Sequence, residues 1–477
     1  MKYIGLILLV GFVLFFAVLI FNAVKIKLKA RKLTTKKELL PLEKQMEYAE
    51  RLGEMIRCET VSHKECFDDT EFKKLRDVVE KLFPEIHKRC EKLNFSDDCW
   101  VYRLKGADHN RNIMLMSHHD VVGAEGEWMH PPFCGQVFDG ALWGRGAVDT
   151  KTPLFAELQA LEELLKEGYE PPCNVYIGSS HNEEIGGDGI PKALEYFEKE
   201  GITFETILDE GGAIIDPPLA GMECKCAMLA VHEKGIHRLV FTAGEGTSHK
   251  GLTANTNTPV ARMSAFIAEV NEKKPFITRL YPQVKAMLTH LCPYTPFVFR
   301  LVLGNLWCFG GIIKTLMPKL NPQAGAMVGT SCSFHEIKGS YDDKKCVAKA
   351  TLRYVNDKDF EKDLVEIEKI ANKYGIEITE GENNEYHKPA DMNKPQFGYT
   401  RECIAEIFPH VASAAYILPA GTDARHLSDI CDCVIRFAPI TMNAQQFGSV
   451  HSENENIDVE VIGEAVAFYK YYLKNYK

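Results

Sequence analysis

MLMSHHDVVGAEGEWMHPPFCGQVFDGALWGRGAVDTK, from Met114 to Lys151, is the stretch on which the reading of this chain turns. It opens on an apolar run that stops at Ser117-His118-His119-Asp120. It closes on a Gly-rich turn, Gly144 to Gly146, that leads into Asp149. A short β-rich run broken by His, Asp and Gly is how a sheet delivers functional groups to a cleft. Both ends are therefore expected at strand tips or turns, with His118 and Asp149 as two metal-capable residues aimed into one site.

Working outward, Gln45 to Cys58 and Phe72 to Leu93 carry helical apolar spacing, and Trp100 to Leu104 and Ile113 to Met116 read as strands. Downstream, Pro153 to Glu167 sets Leu154, Leu158, Leu161 and Leu165 on one helical face. Val175 to Ser179 is a strand ending in His181-Asn182-Glu183-Glu184-Ile185-Gly186-Gly187, Gly189 to Glu200 is helical, and the strand Phe204 to Leu208 ends in Asp209-Glu210-Gly211-Gly212. This alternation predicts an α/β fold with a mostly parallel, covered sheet whose strand ends carry the polar residues.

From Val231 the texture changes. Strands at His237 to Ala243 and Ala348 to Val355, with helices at Val260 to Asn271 and Tyr281 to Leu291, predict a smaller α+β unit inserted over residues 231–355. The catalytic domain is then expected in two parts, 39–230 and 356–477. Phe297 to Met317 is apolar but interrupted by Gly304, Gly310 and Gly311 and charged at Arg300 and Lys314, which favours a buried, membrane-facing or subunit-facing patch over a second membrane span. The tail returns to α/β texture. Ile376 to Thr379 is strand-like, Tyr416 to Leu418 leads into Gly421-Thr422-Asp423-Ala424-Arg425-His426, and Val450-His451-Ser452-Glu453-Asn454-Glu455 precedes a helix from Val459 to Leu473.

At 477 residues the chain is long enough for two or more cores, and 45% hydrophobic with 26% charged residues excludes a largely disordered protein. A net charge of −10 argues against a general nucleic-acid binder, which needs a basic surface. The 15 cysteines are scattered and odd in number, so mostly reduced thiols are expected rather than a disulfide framework.

Tyr3 to Val24 is an uncharged apolar run long enough to span a bilayer as a helix. A cleaved signal peptide is its rival, but the run exceeds the usual core of such a peptide and shows no small-residue cleavage site, so residues 1–38 are expected to be a retained transmembrane anchor and basic linker. Lys25, Lys27, Lys29, Arg31, Lys32, Lys36 and Lys37 follow the span and only Lys2 precedes it, which favours a cytoplasmic catalytic domain. The acceptor pattern Asn94-Phe95-Ser96 would matter only in a secretory setting, so the side of the membrane stays open.

His118, Asp149, Glu184, one of Asp209 or Glu210, and His451 together supply two imidazoles and three carboxylates, each at a strand end or turn. Such a set with one shared carboxylate fits a pair of Zn²⁺ ions, with Co²⁺ or Mn²⁺ as substitutes, and Glu183 beside it could take a proton from a bridging water. Taken singly, each residue has a plainer explanation as a cap, a turn residue or a solvated surface group. Their conjunction in order weighs against that, because adjacent buried carboxylates repel unless a cation neutralises them.

Five segments then resemble one family in order and spacing: Ser117 to Val122 (SHHDVV), Trp143 to Lys151 (WGRGAVDTK), His181 to Gly187 (HNEEIGG), Leu208 to Gly212 (LDEGG) and Val450 to Glu455 (VHSENE). That family is the co-catalytic zinc peptidases, which includes carboxypeptidase S, aminoacylase and the acetylornithine and succinyl-diaminopimelate deacylases. Trp128 to Phe133 (WMHPPF) and the LDEGG form look closest to the carboxypeptidase S branch. The resemblance implies that His118 binds one zinc, Asp149 bridges both, and Glu184 and His451 bind the other. Asp209 and Glu210 remain joint candidates for the fifth ligand, Asp120 tunes the site behind His118, and Glu183 is the general base and later the proton donor. It further implies that the inserted unit is a lid that commonly dimerises, that His249 in Thr247-Ser248-His249 reaches a substrate oxyanion, and that Arg425 holds a substrate carboxylate. Gly329-Thr330-Ser331, where many relatives have an Asn-containing turn, and His181, where many have Asp, depart from the family pattern.

The implied reaction is zinc-assisted hydrolysis of an amide next to a free carboxylate. A carboxypeptidase or dipeptidase acting on short peptides comes first, an amidohydrolase acting on N-acyl amino acids second, and a membrane-tethered binding protein without catalysis last.

Overall fold

The computed structural model describes residues 2–38, 40–244, 258–320, 322–339, 344–381 and 386–477. Its strands are, in chain order, β1 (Glu91–Phe95), β2 (Cys99–Leu104), β3 (Asp108–Met116), β4 (Gln136–Phe138), β5 (Ala141–Trp143), β6 (Cys173–Ser179), β7 (Thr206–Asp209) and β8 (Ile214–Ile215). They continue with β9 (Cys226–Glu233), β10 (Gly235–Ala243), β11 (Ser331–Lys338), β12 (Cys346–Tyr354), β13 (Ile376–Glu380), β14 (Ala412–Leu418), β15 (Val434–Arg436) and β16 (Asn456–Asp458).

The main sheet runs β1-β2-β6-β3-β7-β15-β9-β14, with β8 on β9. It is mixed rather than mostly parallel. The centre β6-β3-β7-β15 and the pair β9-β14 are parallel, whereas β1-β2, β2-β6 and β15-β9 are antiparallel. The reason lies in the segment expected to be one helix from Phe72 to Leu93. The helix ends at Leu82 and restarts as Pro84–Arg89, because Pro84 lacks the N–H a continuing helix needs and fits a first helical position. Glu91 already begins β1, which returns on β2 as a hairpin.

Helices Leu42–Ile56, Lys151–Lys166 and Val459–Asn475 cover one face through Leu52, Phe155, Leu158, Tyr469 and Tyr472. Gly189–Lys199 covers the other through Phe197, packed on Met114 and Tyr176. Every residue of β6 is buried, as a strand sandwiched between helical layers must be.

Beyond β9 the chain enters a second, antiparallel sheet, β11-β12-β10-β13. Helices Pro259–Lys273 and Asp357–Lys373 lay Phe266, Val270, Phe360 and Ile367 on it. The inserted unit therefore does not end at residue 355. Asp357–Lys373 has its apolar stripe on this sheet, and Ile376 to Glu380 pairs with Ala243 to Leu239 of β10.

A small third sheet, β16-β5-β4, ties the C-terminal segment that carries His451 to the turn before Asp149. Phe297 to Met317 forms two helices, Phe297–Leu303 and Leu306–Leu320, bent by 100°. It is not simply buried, since Trp307, Ile312 and Leu320 face outward. The N-terminal helix Lys2–Lys29 is long and apolar enough to cross a membrane.

Candidate active site

The C-terminal end of β3 makes the first choice. Backbone bonds from Ser117 to Gly178 and from His119 to Ser180 continue the β3-β6 ladder past the strand. His118 and His119 therefore project to opposite faces. His119 goes into the core, stacked on Trp100 at 5.2 Å with Nδ1 2.8 Å from Ser179 Oγ. His118 goes to the cleft. Its Nδ1 lies 2.9 Å from the Asp120 carbonyl and 3.3 Å from Asp120 Oδ1, which leaves Nε2 at 3.1 Å from Asp149 Oδ1.

Asp120 is fully buried and ties three elements together. Ser62 Oγ donates to its Oδ2 at 2.7 Å, and the N–H groups of Glu183 and Glu184 donate to Oδ1 and Oδ2 at 3.2 and 3.1 Å. The turn after β6 is thus hung on the residue that orients His118, a common arrangement behind metal-ligating imidazoles.

The second oxygen of Asp149 serves a different imidazole. His451 Nε2 is 3.0 Å from Asp149 Oδ2 and 3.0 Å from Glu184 Oε2. One carboxylate thus stands between two histidines some 330 positions apart in the chain, and donor atoms of His118, Asp149 and Glu184 lie within 4.8 Å of one another. His451 sits at φ 57°, in the left-handed region, where the tight turn before β16 places it.

Glu455 holds that turn in register with the Asp149 turn. Its Oε2 accepts from Arg145 Nη1 at 2.6 Å and from Gly146 N at 3.1 Å, and its Oε1 accepts from Val148 N and Asp149 N at 2.7 and 3.0 Å. Both charged side chains are almost wholly buried. Glu455→Gln leaves the Arg145 charge without its partner, so it is expected to lower unfolding stability by about 3–5 kcal/mol in urea titration.

Asp209 and Glu210 line one small cavity with His118, Ser180, Glu183 and Asp423. Ala424 N donates to Asp209 Oδ2 at 3.0 Å, and Ser180 Oγ donates to Asp423. The strand end thereby docks on the Gly421-to-Arg425 segment. Glu233 fastens the same segment, accepting from Thr422 N at 2.9 Å, from Thr422 Oγ1 at 2.7 Å and from Arg436. Arg425 folds onto the Thr422 carbonyl at 3.0 Å, and its Nε is buried without a partner.

The electrostatics follow from crowding. Burial pushes the Glu183 carboxyl well above its ordinary range, with Asp423, Asp120 and Glu184 adding to the push. Burial and Asp209 do the same to Glu210, and burial and Asp423 push Asp209 up to about 7. Hydrogen bonding to Asp149 and Glu184 raises His451 to about 10. Burial opposes charge on His118, but Asp120 and Asp149 hold its imidazolium well above the usual value.

The structure therefore brings together His118, Asp120, Asp149, Glu183, Glu184, Asp209, Glu210 and His451, with Arg425 in the adjoining segment. His249 lies outside the described residues. Ser62, Ser180, Glu233, Asp423, Arg436, Arg145 and Glu455 belong to the supporting shell but were not picked out from sequence. Asp423 and Glu455 stood inside motifs already singled out, whereas Ser62 and Glu233 carried no local signal.

Three comparisons bear on this geometry. The profile described as Peptidase family M20/M25/M40 matches residues 114–475. The N-fatty-acyl-amino acid synthase/hydrolase PM20D1 of Xenopus tropicalis is 27% identical over 98% of this chain and 94% of its own. The probable carboxypeptidase S-like 2 of Dictyostelium discoideum is 26% identical over 90% and 85%. Among solved structures, the M20 family metallo-carboxypeptidase Sso-CP2 of Sulfolobus solfataricus superposes with a TM-score of 0.63 at 17% identity, covering 90% of this chain and 98% of that one.

Proposed function

The chain belongs to Peptidase family M20/M25/M40, and from that premise we propose that it is a membrane-anchored, two-metal amidohydrolase that cleaves the amide of N-acyl amino acids beside their free carboxylate, releasing the amino acid and a carboxylic acid. The observation that carries the reading is Asp149, whose two oxygens face His118 and His451 separately while Glu183 lines the same cleft.

The donor set fits divalent cations. Glu184 Oε1 is buried with no partner, although Oε2 of the same carboxylate meets His451. The carboxylates of Asp120, Asp149, Glu183, Glu184, Asp209, Glu210 and Asp423 outnumber the imidazoles they crowd around, an arrangement that only added positive charge relieves. His118 with Asp209 or Glu210 would hold one ion, Glu184 with His451 the other, and Asp149 both, with zinc favoured by the mixed N and O donors. When bound, the ions would supply Lewis acidity toward the amide carbonyl and lower the pKa of a bound water.

The chain's own residues do the rest. Glu183 receives the proton of the attacking water and returns it to the leaving amine, and burial, which raises its carboxyl above the ordinary range, strengthens it as a proton acceptor. Asp120 fixes the His118 ring and the backbone of Glu183 at once, so ligand and base cannot drift apart. Arg425 supplies a forked donor for the substrate carboxylate, and its buried Nε has no partner among the described residues.

Acyl amino acids come first among substrates because the relative that matches nearly the whole chain carries an N-fatty-acyl-amino acid activity in its name. Short peptides come second, supported by the carboxypeptidase S-like relative and by the carboxypeptidase whose fold this chain shares. The anchor reading rests on how the N-terminal helix is used. Leu19 and Ala23 are buried against the protein, Arg31 donates to the carbonyls of Ala405, Pro409 and Val411, and Lys36 pairs with Glu460 and Glu464 at 2.8 and 2.9 Å. Leu19 and Ala23 lie within the apolar run itself, and a segment cut off before folding has no use for their contacts. The basic residues from Lys25 to Lys37 favour the cytoplasmic side for the catalytic domain.

The test is turnover by the purified full chain loaded with zinc. N-oleoyl-phenylalanine is expected to be hydrolysed with a kcat/KM at least tenfold above that for a free dipeptide. The reverse ratio selects the peptidase, and no hydrolysis of either by protein holding two metal equivalents overturns the proposal.

A further inference from the structure

Helix Phe297–Leu303 and the bend that leads into Leu306–Leu320 track the N-terminal helix step by step. Tyr294, just before the first of them, donates its hydroxyl to the Arg31 carbonyl at 3.5 Å. Gly304 faces Ala23 and Ile26, close enough that an added Cβ would stand 3.7 Å from Ala23 Cα. Asn305 meets Asn22 side chain to side chain at 2.9 Å and donates to the Leu19 carbonyl at 3.1 Å. Trp307 packs edge-on against Phe15, ring centroids 6.0 Å apart. Along the N-terminal helix these contacts fall in the order 31, 26, 23, 22, 19, 15, a descent from the basic end into the apolar run. Phe15 lies ten residues before Lys25, about 15 Å along a helix. That is half of a hydrocarbon core about 30 Å thick.

The polar groups on this path are all turned inward. Asn305 is fully buried. Its amide donates to the Leu19 and Leu301 carbonyls, and its oxygen accepts from Asn22 and from Trp307 Nε1 at 3.1 Å. Trp307 thus presents only an apolar ring outward, 65% exposed. Val298, Ile312, Leu316 and Leu320 continue that outward surface at 70, 58, 45 and 78% exposure. The opposite side of Leu306–Leu320 packs on the protein through Leu306, Ile313 and Met317. Water-facing helices are not apolar on both sides. Small residues at the contact and an interhelical Asn pair are the devices by which helices associate in lipid.

We propose that these two bent helices are a second membrane element. They enter the leaflet beside the anchor from the catalytic-domain side, reach the midplane at Trp307, and turn by 100° without crossing. The occupant of the exposed face is the acyl region of the bilayer. This rests on the anchor reading given above.

The test uses the full chain in phosphatidylcholine vesicles whose acyl chains carry bromine, a contact quencher of tryptophan. The sequence has 4 tryptophans, and Trp100, Trp128 and Trp143 are in the catalytic domain. Bromine is expected to quench part of the emission, and Trp307→Phe, with turnover unchanged, is expected to lose that quenched part. Bromines near the chain ends should quench more than those near the headgroups. A chain that resists alkaline carbonate extraction but shows no Trp307-dependent quenching overturns this proposal alone, including the case in which crosslinking finds a second copy over Trp307. A chain that carbonate extracts overturns the anchor reading and this one with it.

Discussion

Glu183→Gln is expected to keep the fold and the metal of the parent and to lose about 10²–10⁴-fold in kcat. The amide retains the backbone N–H that donates to Asp120 Oδ1, so the turn stays hung on the residue that orients His118. What disappears is a group that can accept a proton. Glu183 lines the cavity with His118, Asp209, Glu210 and Asp423; the proposal takes His118 and one of the Asp209-Glu210 pair as ligands, while Asp209 and Asp423 already accept from Ala424 N and Ser180 Oγ. Burial raises its carboxyl, so activity that depends on the ionised form falls as pH drops through its titration. The acid limb of kcat/KM should therefore flatten in the variant. Metal analysis beside a pH series of turnover checks both halves. Unchanged activity removes Glu183 as the base, and lost metal makes it a ligand instead.

That much could be anticipated from sequence because the residues doing chemistry sit where local patterning changes. His118, Glu184, Asp209 and the turn before Asp149 each follow an apolar run, and a strand that stops at polar residues marks its own end. Which of His118 and His119 faces the cleft follows only from the ladder continuing past β3. What local pattern cannot carry is pairing between distant segments. The antiparallel edge of the main sheet depends on Pro84 dividing one helical periodicity and freeing β1 to return on β2. The capture of Ile376 to Glu380 by the second sheet depends on β10, more than 130 residues earlier. Glu233 and Ser62 support the site through Thr422 and Asp120, contacts that leave no trace in their own neighbourhoods. The apolar run from Phe297 was ambiguous for a related reason. Its two sides serve different surroundings, one joining a buried cluster through Leu303 and Met317 and the other facing outward.

Asp149→Ala tests the centre of the site rather than its base. Removing the one carboxylate that faces both imidazoles is expected to drop metal content below two equivalents and to abolish turnover at least as completely as Glu183→Gln, because no side chain nearby can take both positions at once. It also changes the proton balance in a direction that can be worked out. In the metal-free parent, Asp149 and Glu184 raise His451 to about 10, above its ordinary 6.5. The proton on His451 therefore stabilises the metal-free fold fully below about pH 6.5, and that contribution is lost as pH rises toward 10. A cation must displace this proton and the one on His118, so metal binding to the parent near pH 7 should release protons and tighten as pH rises. Without Asp149 the hold on both imidazoles weakens, so fewer protons should be released for each metal that still binds. Titration calorimetry of the chelator-treated proteins, run in two buffers of different ionisation enthalpy, counts those protons directly. Equal release by parent and variant would mean that Asp149 does not hold the two histidines, and the bridging role would fall with it.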